Sequence, residues 1–283
     1  MYFDSHVHSA ASPDSEMDPR AAVAFLKDKG LGLTFTEHAD FAMNDEQDFN
    51  THDAPRGLMD FVCDFGIYPL TYEKLRDESV TLGMELGMTD AFFSLNKRIA
   101  SEYDYDYILG AVHSVDGHDI YEMSKTAPDV SGVGRYLTRS RELVEKYDFI
   151  DAFAHIDYIA RYTKAAADDF FYENYKEEFD ALLKVIAERG IALEINTSRF
   201  GASPLFSDCT VVGIPPRSLL THEQTIYTLC RRFKELGGRI CTIGSDAHGV
   251  DKLAYCFDTA KQIAHEAELR VVYFKDRKPV NCE

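Results

Sequence analysis

Seven short apolar stretches recur along this 283-residue chain, and nearly every one stops at a histidine, a carboxylate or an asparagine. They are YFDSHVH (2–8), LGLTFTEH (31–38), VTLGMEL (80–86), YDYILGAVH (105–113), FIDAFAH (149–155), IALEIN (191–196) and RICTIGSD (239–246). Each has the length and composition of a buried β-strand. Helix-length segments lie between them, at 19–29, 90–102, 133–147, 171–189 and 222–236. Pro19 opens the first of these, and Gly30, Gly190 and Gly237 follow three of them as C-terminal caps. Thr221 and Gln224 have the spacing of a capping box. Such alternation predicts a parallel β/α fold, either a barrel or an open doubly wound sheet. In a barrel the C-terminal ends of all strands meet on one face, whereas an open sheet gathers them only at its switch point. Polar residues at almost every strand end therefore favour a barrel, read as one domain over 1–283. Residues 41–79 stand outside this pattern: a polar loop, the apolar run MDFVCDFGIYPL, and a short helix candidate from Thr71.

The strand-end residues form a set. Side chains alternate across a strand, so His6 and His8 share a face. His38, Glu85, His113 and His155 come from the next four strands, and Asp246 and His248 are expected on one face after the last. Asp14 joins them from the loop after the first strand. Taken singly, each has an ordinary explanation: a core histidine, a surface acid, a turn residue. Taken together they contradict the expectation that strands covered by helices are apolar. Buried imidazoles and carboxylates need partners, and divalent metal is the obvious one. Six histidines and three carboxylates exceed the four donors of one tetrahedral ion. They suit two or three ions sharing a bridging carboxylate, and nitrogen and oxygen without thiolate fit zinc, iron or manganese. Glu194 and Asn196 share a face of the sixth strand, and one of them is expected to orient a substrate.

Composition removes several classes. A formal charge of −18 argues against a protein that wraps nucleic acid. No apolar run approaches the roughly 20 residues of a membrane span, and MYFDSHVH has no secretory pattern. The six cysteines include no CxxC pair and read as reduced thiols in a cytoplasmic protein. Nothing in the sequence bears on oligomeric state. His52, in the polar loop, and His118, His222 and His265 are expected to lie outside the site chemistry.

HVH near the start, TEHAD, GME, GAVHSVDG, DAFAHID and TIGSDAH occur in order from residue 4 to 248. Together they resemble the PHP (polymerase and histidinol phosphatase) superfamily. HIDYIARY (155–162), EINTSRF (194–200) and ELGGRICTIGSDAH (235–248) resemble its stand-alone histidinol-phosphatase group. The resemblance implies a distorted (β/α)7, TIM-like barrel with a trinuclear centre that hydrolyses a small-molecule phosphate ester. It implies one metal site at His6, His8, Glu85 and Asp246, and a second at Glu85, His113 and His155. Asp14, His38 and His248 then form the third, and Arg161 and Arg199 hold the substrate phosphate. The fourth motif departs from the family pattern, with Ala111 where serine is usual. Asp246 and His248 are the candidates for protonating the leaving group. L-histidinol phosphate is the expected substrate, with a nucleotide or sugar phosphate, or a non-catalytic metal-binding module, as alternatives. A metal-dependent amidohydrolase is disfavoured, because no strand ends in the lysine those barrels carboxylate.

Overall fold

The structure, a computed structural model, describes residues 1–41, 62–127, 129–162, 164–201 and 222–283. The first four strands are β1 (Phe3–Val7), β2 (Gly32–Ala39), β3 (Val80–Gly87) and β4 (Tyr107–Ala111). A two-residue hairpin follows, β5 (Ser114–Val115) with β6 (His118–Asp119). Then come β7 (Ala152–Phe153), β8 (Ala192–Asn196), β9 (Ile240–Gly244), β10 (Arg270–Lys275) and β11 (Lys278–Asn281). The strands β1, β2, β3, β4, β7, β8 and β9 are parallel neighbours in chain order. That order has no reversal, so there is no switch point, and the fold is a distorted (β/α)7 barrel.

The distortion lies between β1 and β9. At their C-terminal ends they meet: the Asp246 amide donates to His6 O at 2.8 Å and the His8 amide to Ala247 O at 2.9 Å. At the opposite end β9 pairs instead with β10, whose Tyr273 stacks on Phe3 at 3.8 Å between ring centroids. The barrel is thus stitched shut where the polar strand ends converge and wedged by the terminal β10–β11 hairpin at its base.

Helices pack outside. They are α1 (Pro19–Asp28), α2 (Tyr68–Tyr72), α3 (Phe93–Glu102), α4 (Ile120–Thr126) and α5 (Val133–Lys146). Along the rest of the chain are α6 (Lys164–Asp169), α7 (Lys176–Glu188), α8 (His222–Glu235) and α9 (Phe257–Glu266). Asp18 caps α1 by accepting from the Arg20 amide at 2.9 Å, with Pro19 at the first helical position. Strand alternation splits the core in two. Tyr107, Leu109 and Ala111 join Ala152, Ala154, Ala192 and Ile240 in one cluster, while Ile108 and Val112 join the larger apolar layer.

Several expected boundaries differ. The strand expected over 149–155 is paired only at Ala152–Phe153, because the Asp151 carboxylate takes the Ile108 amide at 2.7 Å. The strand expected to 246 ends at Gly244, and Asp246 adopts a left-handed φ of 57°. Asp246 and His248 therefore leave a turn rather than one strand face. The helix expected from 171 begins at Lys176. From 41–79, α2 starts at Tyr68, ahead of the expected Thr71. Thr221, Cys209 and His52 lie outside the described residues.

Candidate metal centre

The nine strand-end and loop donors converge at the stitched end of the barrel. Glu85, fully buried on β3, is the hub. Its Oε1 lies 2.7 Å from His155 Nε2 and 3.3 Å from His113 Nε2. Its Oε2 lies 3.4 Å from His6 Nε2, 3.5 Å from His8 Nε2 and 2.9 Å from His38 Nδ1. Asp246 Oδ1 faces both first-strand rings, at 3.5 Å from His6 and 3.4 Å from His8. Asp14 Oδ2 faces His38 Nε2 at 3.3 Å and His248 Nε2 at 3.0 Å. The loop that aims Asp14 is closed on itself: the Ala10 amide donates to Met17 O, and Ser15 Oγ donates to His8 O and His248 O.

Among the described residues, four groups of three donors each lie within 4.8 Å of one another: His6–His8–Glu85, Glu85–His113–His155, His8–His38–His248 and His6–His155–Asp246. The donors fit divalent ions. His6 Nε2 and His8 Nε2 stand only 3.0 Å apart, and buried Glu85 Oε2 has no hydrogen-bond partner among the described residues. An ion between these atoms satisfies both, and the set is imidazole and carboxylate without thiolate.

A second layer of carboxylates and hydroxyls, mostly missed in the sequence reading, orients the rings. Glu194 Oε1 lies 2.7 Å from His6 Nδ1, Asp40 Oδ2 2.5 Å from His113 Nδ1, and Ser12 Oγ 3.3 Å from His8 Nδ1. Ser12 in turn donates to buried Glu37 at 2.6 Å. Asp40 follows His38 by two residues in TEHAD, the one sequence signal that could have found it. It has room only because Gly87 opposite carries no side chain; a Cβ there would overlap the carboxylate. Burial alone would lower the pKa values of His38 and His113, but neighbouring carboxylates push both up to about 10. For His38 these are Glu85 and Asp14, and for His113 they are Asp40 and Glu85. Burial and the adjacent His38 ring push His8 down to about 3. Burial works against the charge of Glu85, yet His6 and His113 hold it well below the usual carboxylate range.

Arg161 reaches the centre: its Nη2 lies 2.8 Å from Asp246 Oδ2, while its buried Nε has no hydrogen-bond partner among the described residues. Its guanidinium carbon sits 5.2 Å from the Tyr158 ring centroid. Arg199 stands one shell away, with Nη1 3.1 Å from Asp157 Oδ2. His222 Nε2 approaches the same carboxylate at 3.2 Å. Asn196 Oδ1 is taken by Ser198, and its amide faces Glu194 at 3.3 Å and Asp246 at 3.4 Å. His118 and His265 are exposed and away from the cluster, as expected.

Residues 4–198 match the model of the PHP domain family, and the chain belongs to that family. Over 279 residues it is 33% identical to a protein of Clostridium acetobutylicum named probable histidinol-phosphatase, covering 98% of each chain. It is 27% identical to the histidinol-phosphatase of Lactococcus lactis over 87% of this chain and 83% of that one. A crystal structure of histidinol phosphate phosphatase from Lactococcus lactis, complexed with zinc, L-histidinol and phosphate, superposes with a TM-score of 0.77. That match has 26% identity and covers 99% of both chains. A protein of Listeria monocytogenes shares the fold, with a TM-score of 0.64 at 16% identity, over 91% of this chain and 99% of that one.

Proposed function

We propose that the chain is a metal-dependent phosphomonoesterase, a histidinol-phosphatase that hydrolyses L-histidinol phosphate to L-histidinol and phosphate in cytoplasmic histidine biosynthesis. The observation that carries this reading is the convergence of nine ligand-type side chains, with Glu85 as their hub, beside an arginine with an unpartnered donor. The near full-length likeness to histidinol-phosphatases supports the substrate. Among the described residues no helix is long and apolar enough to cross a membrane. A single nine-stranded sheet that carries all seven parallel strands, with both apolar clusters packed on its two faces, supports the reading as one domain over 1–283.

His6, His8, Glu85 and Asp246 would hold one divalent ion; Glu85, His113 and His155 a second; and Asp14, His38 and His248 a third. The zinc of the Lactococcus lactis structure supports zinc, and the donor set also suits iron or manganese. When bound, such ions supply Lewis acidity toward phosphoryl oxygens and water. The chain itself does the rest. Arg161 brings a planar guanidinium to the cluster, with Nη2 on Asp246 and Nε without a hydrogen-bond partner among the described residues, a fork matched to phosphate. Arg199 needs to leave Asp157 to do the same. Asn196 remains a neighbour of the site with its amide directed at carboxylates, so a substrate contact there requires that amide to turn. Asp246 is engaged on both oxygens, by His6 and His8 on one and Arg161 on the other. That makes it a poor proton source. His248 sits at the solvent edge, 32% exposed, but its Nδ1 faces the Asp246 carbonyl. Ligation and proton donation therefore compete for its Nε2.

The test is steady-state hydrolysis of L-histidinol phosphate against sugar phosphates and nucleotides, before and after chelation. A preference of at least about 100-fold in kcat/KM, some 2.7 kcal/mol in transition-state binding, is expected. Equal turnover of generic phosphomonoesters would leave a broader phosphoesterase, and no hydrolysis with any loaded metal would leave a binding module.

A further inference from the structure

We propose that Glu194 is a positioning residue that ties together the two ion sites sharing Glu85. This rests on the metal-dependent reading above. Glu194 lies inside the barrel on β8 and is 2% exposed. Its Oε1 lies 2.7 Å from His6 Nδ1, and its Oε2 accepts the His155 backbone amide at 2.7 Å. His6 belongs to the first site and His155 to the second, so one carboxylate holds a ligand of each. The two are held for different reasons. His6 is already on a strand, and the carboxylate fixes its ring: with an ion on Nε2, the Nδ1 proton must point at an acceptor. His155 lies one residue past the last backbone bond to β4, from the Ala154 amide to Gly110 O at 2.9 Å, so no ladder bond of its own fixes its direction. Its Nδ1 is buried without a hydrogen-bond partner among the described residues, so no second-layer group sets its ring. The Glu194 bond to its amide takes the place of the missing ladder.

The path across the barrel is kept open for this link. β9 stands between β8 and β1, and at Gly244 a Cβ would overlap both Glu194 Oε1 and the Cβ of His6. Both contacts on Glu194 need an acceptor. A carboxylate accepts at both oxygens, whereas an amide accepts at one and donates at the other. In Glu194→Gln, the NH2 group must therefore confront either the His155 amide or the Nδ1 proton of His6. The Asn196 amide, 3.3 Å from Oε2, adds a further donor on the same side.

The experiment compares wild type and E194Q, stripped of metal and then titrated with zinc alone. Zinc per chain, zinc affinity by chelator competition, and melting temperature with and without zinc are the readouts. Expected are a zinc-induced rise in melting temperature smaller in E194Q than in wild type, zinc binding about 10- to 100-fold weaker, and fewer ions retained on dialysis. Wild-type zinc content and affinity in E194Q would overturn the assignment. So would a lower stripped melting temperature with an unchanged zinc-induced rise, which marks a structural role only. If E194Q does not fold, E194D keeps two acceptors on a stem one methylene shorter. It is expected to bind zinc more weakly than wild type, and wild-type affinity there overturns the inference equally. Wild type that takes up no zinc would instead sink the metal-dependent reading itself.

Discussion

Glu85 is the residue on which the site turns, because its two oxygens face different sets of rings. The loss of one ring should accordingly remove one ion and leave the other sites partly formed. For His113→Ala we expect at least one divalent ion fewer by elemental analysis and a fall in turnover of about 100-fold or more. Full activity with an unchanged metal count would refute the assignment. Arg161→Lys keeps the charge but loses the fork. It is expected to lower kcat/KM about 10- to 100-fold, the worth of one or two charge-assisted hydrogen bonds, without changing metal content. At this scale the ligand-type residues were legible in the sequence, because histidine at the end of an apolar strand is costly without a partner. Their supports were not. Asp40 and Glu37 look like any other acids of a polar motif, and only folding brings Asp40 to His113, 73 positions away.

Among the elements, the turn after β9 matters most, because it carries Asp246 and His248 off the strand. It is held by Asp4 on β1, which is fully buried. Asp4 accepts from the Ser245 amide at 2.9 Å, Ser245 Oγ at 2.6 Å and the Ala254 amide at 2.8 Å. Asp4→Ala strands the buried Ser245 amide and hydroxyl and the half-buried Ala254 amide, so a loss of about 3 kcal/mol in urea unfolding is expected, together with reduced metal content. A stability within about 0.5 kcal/mol of wild type would mean the turn holds itself. Burial pushes the Asp4 carboxyl up to about 6. Raised above its ordinary value, it favours the fold most below about pH 4, and that contribution is lost as pH rises through about 6. The sequence located β9 but extended it through Asp246, because an alternating pattern reads the same in a strand and in the turn that leaves it. Of the terminal hairpin, Lys278–Asn281 is a largely exposed edge with little apolar signal, whereas the VVYF run of Arg270–Lys275 is legible as a strand.

Across the molecule, the formal charge of −18 coexists with a cluster of imidazoles that carboxylates keep protonated when no ion is present. His38 and His113 are raised from 6.5 to about 10. Their contribution to the stability of the metal-free protein is therefore complete below about pH 6.5 and lost as pH rises through about 10. Ion binding must expel those protons. We expect zinc affinity to increase with pH over this window, and the binding heat at pH 7.5 to scale with the ionisation enthalpy of the buffer. A heat independent of buffer would show that the rings are already neutral. Chelation should abolish turnover, and zinc, manganese or iron should restore it. The alternation of apolar strands and amphipathic helices, and the polar residues at the strand ends, were set by sequence alone, because burial and periodicity are local demands. Which donors share an oxygen of Glu85, which carboxylate holds which ring, and where the barrel is stitched shut were decided only by tertiary structure. Those relations join residues as far apart as His6 and Asp246, and no local pattern encodes the distance between two strands that meet only when the sheet curls round.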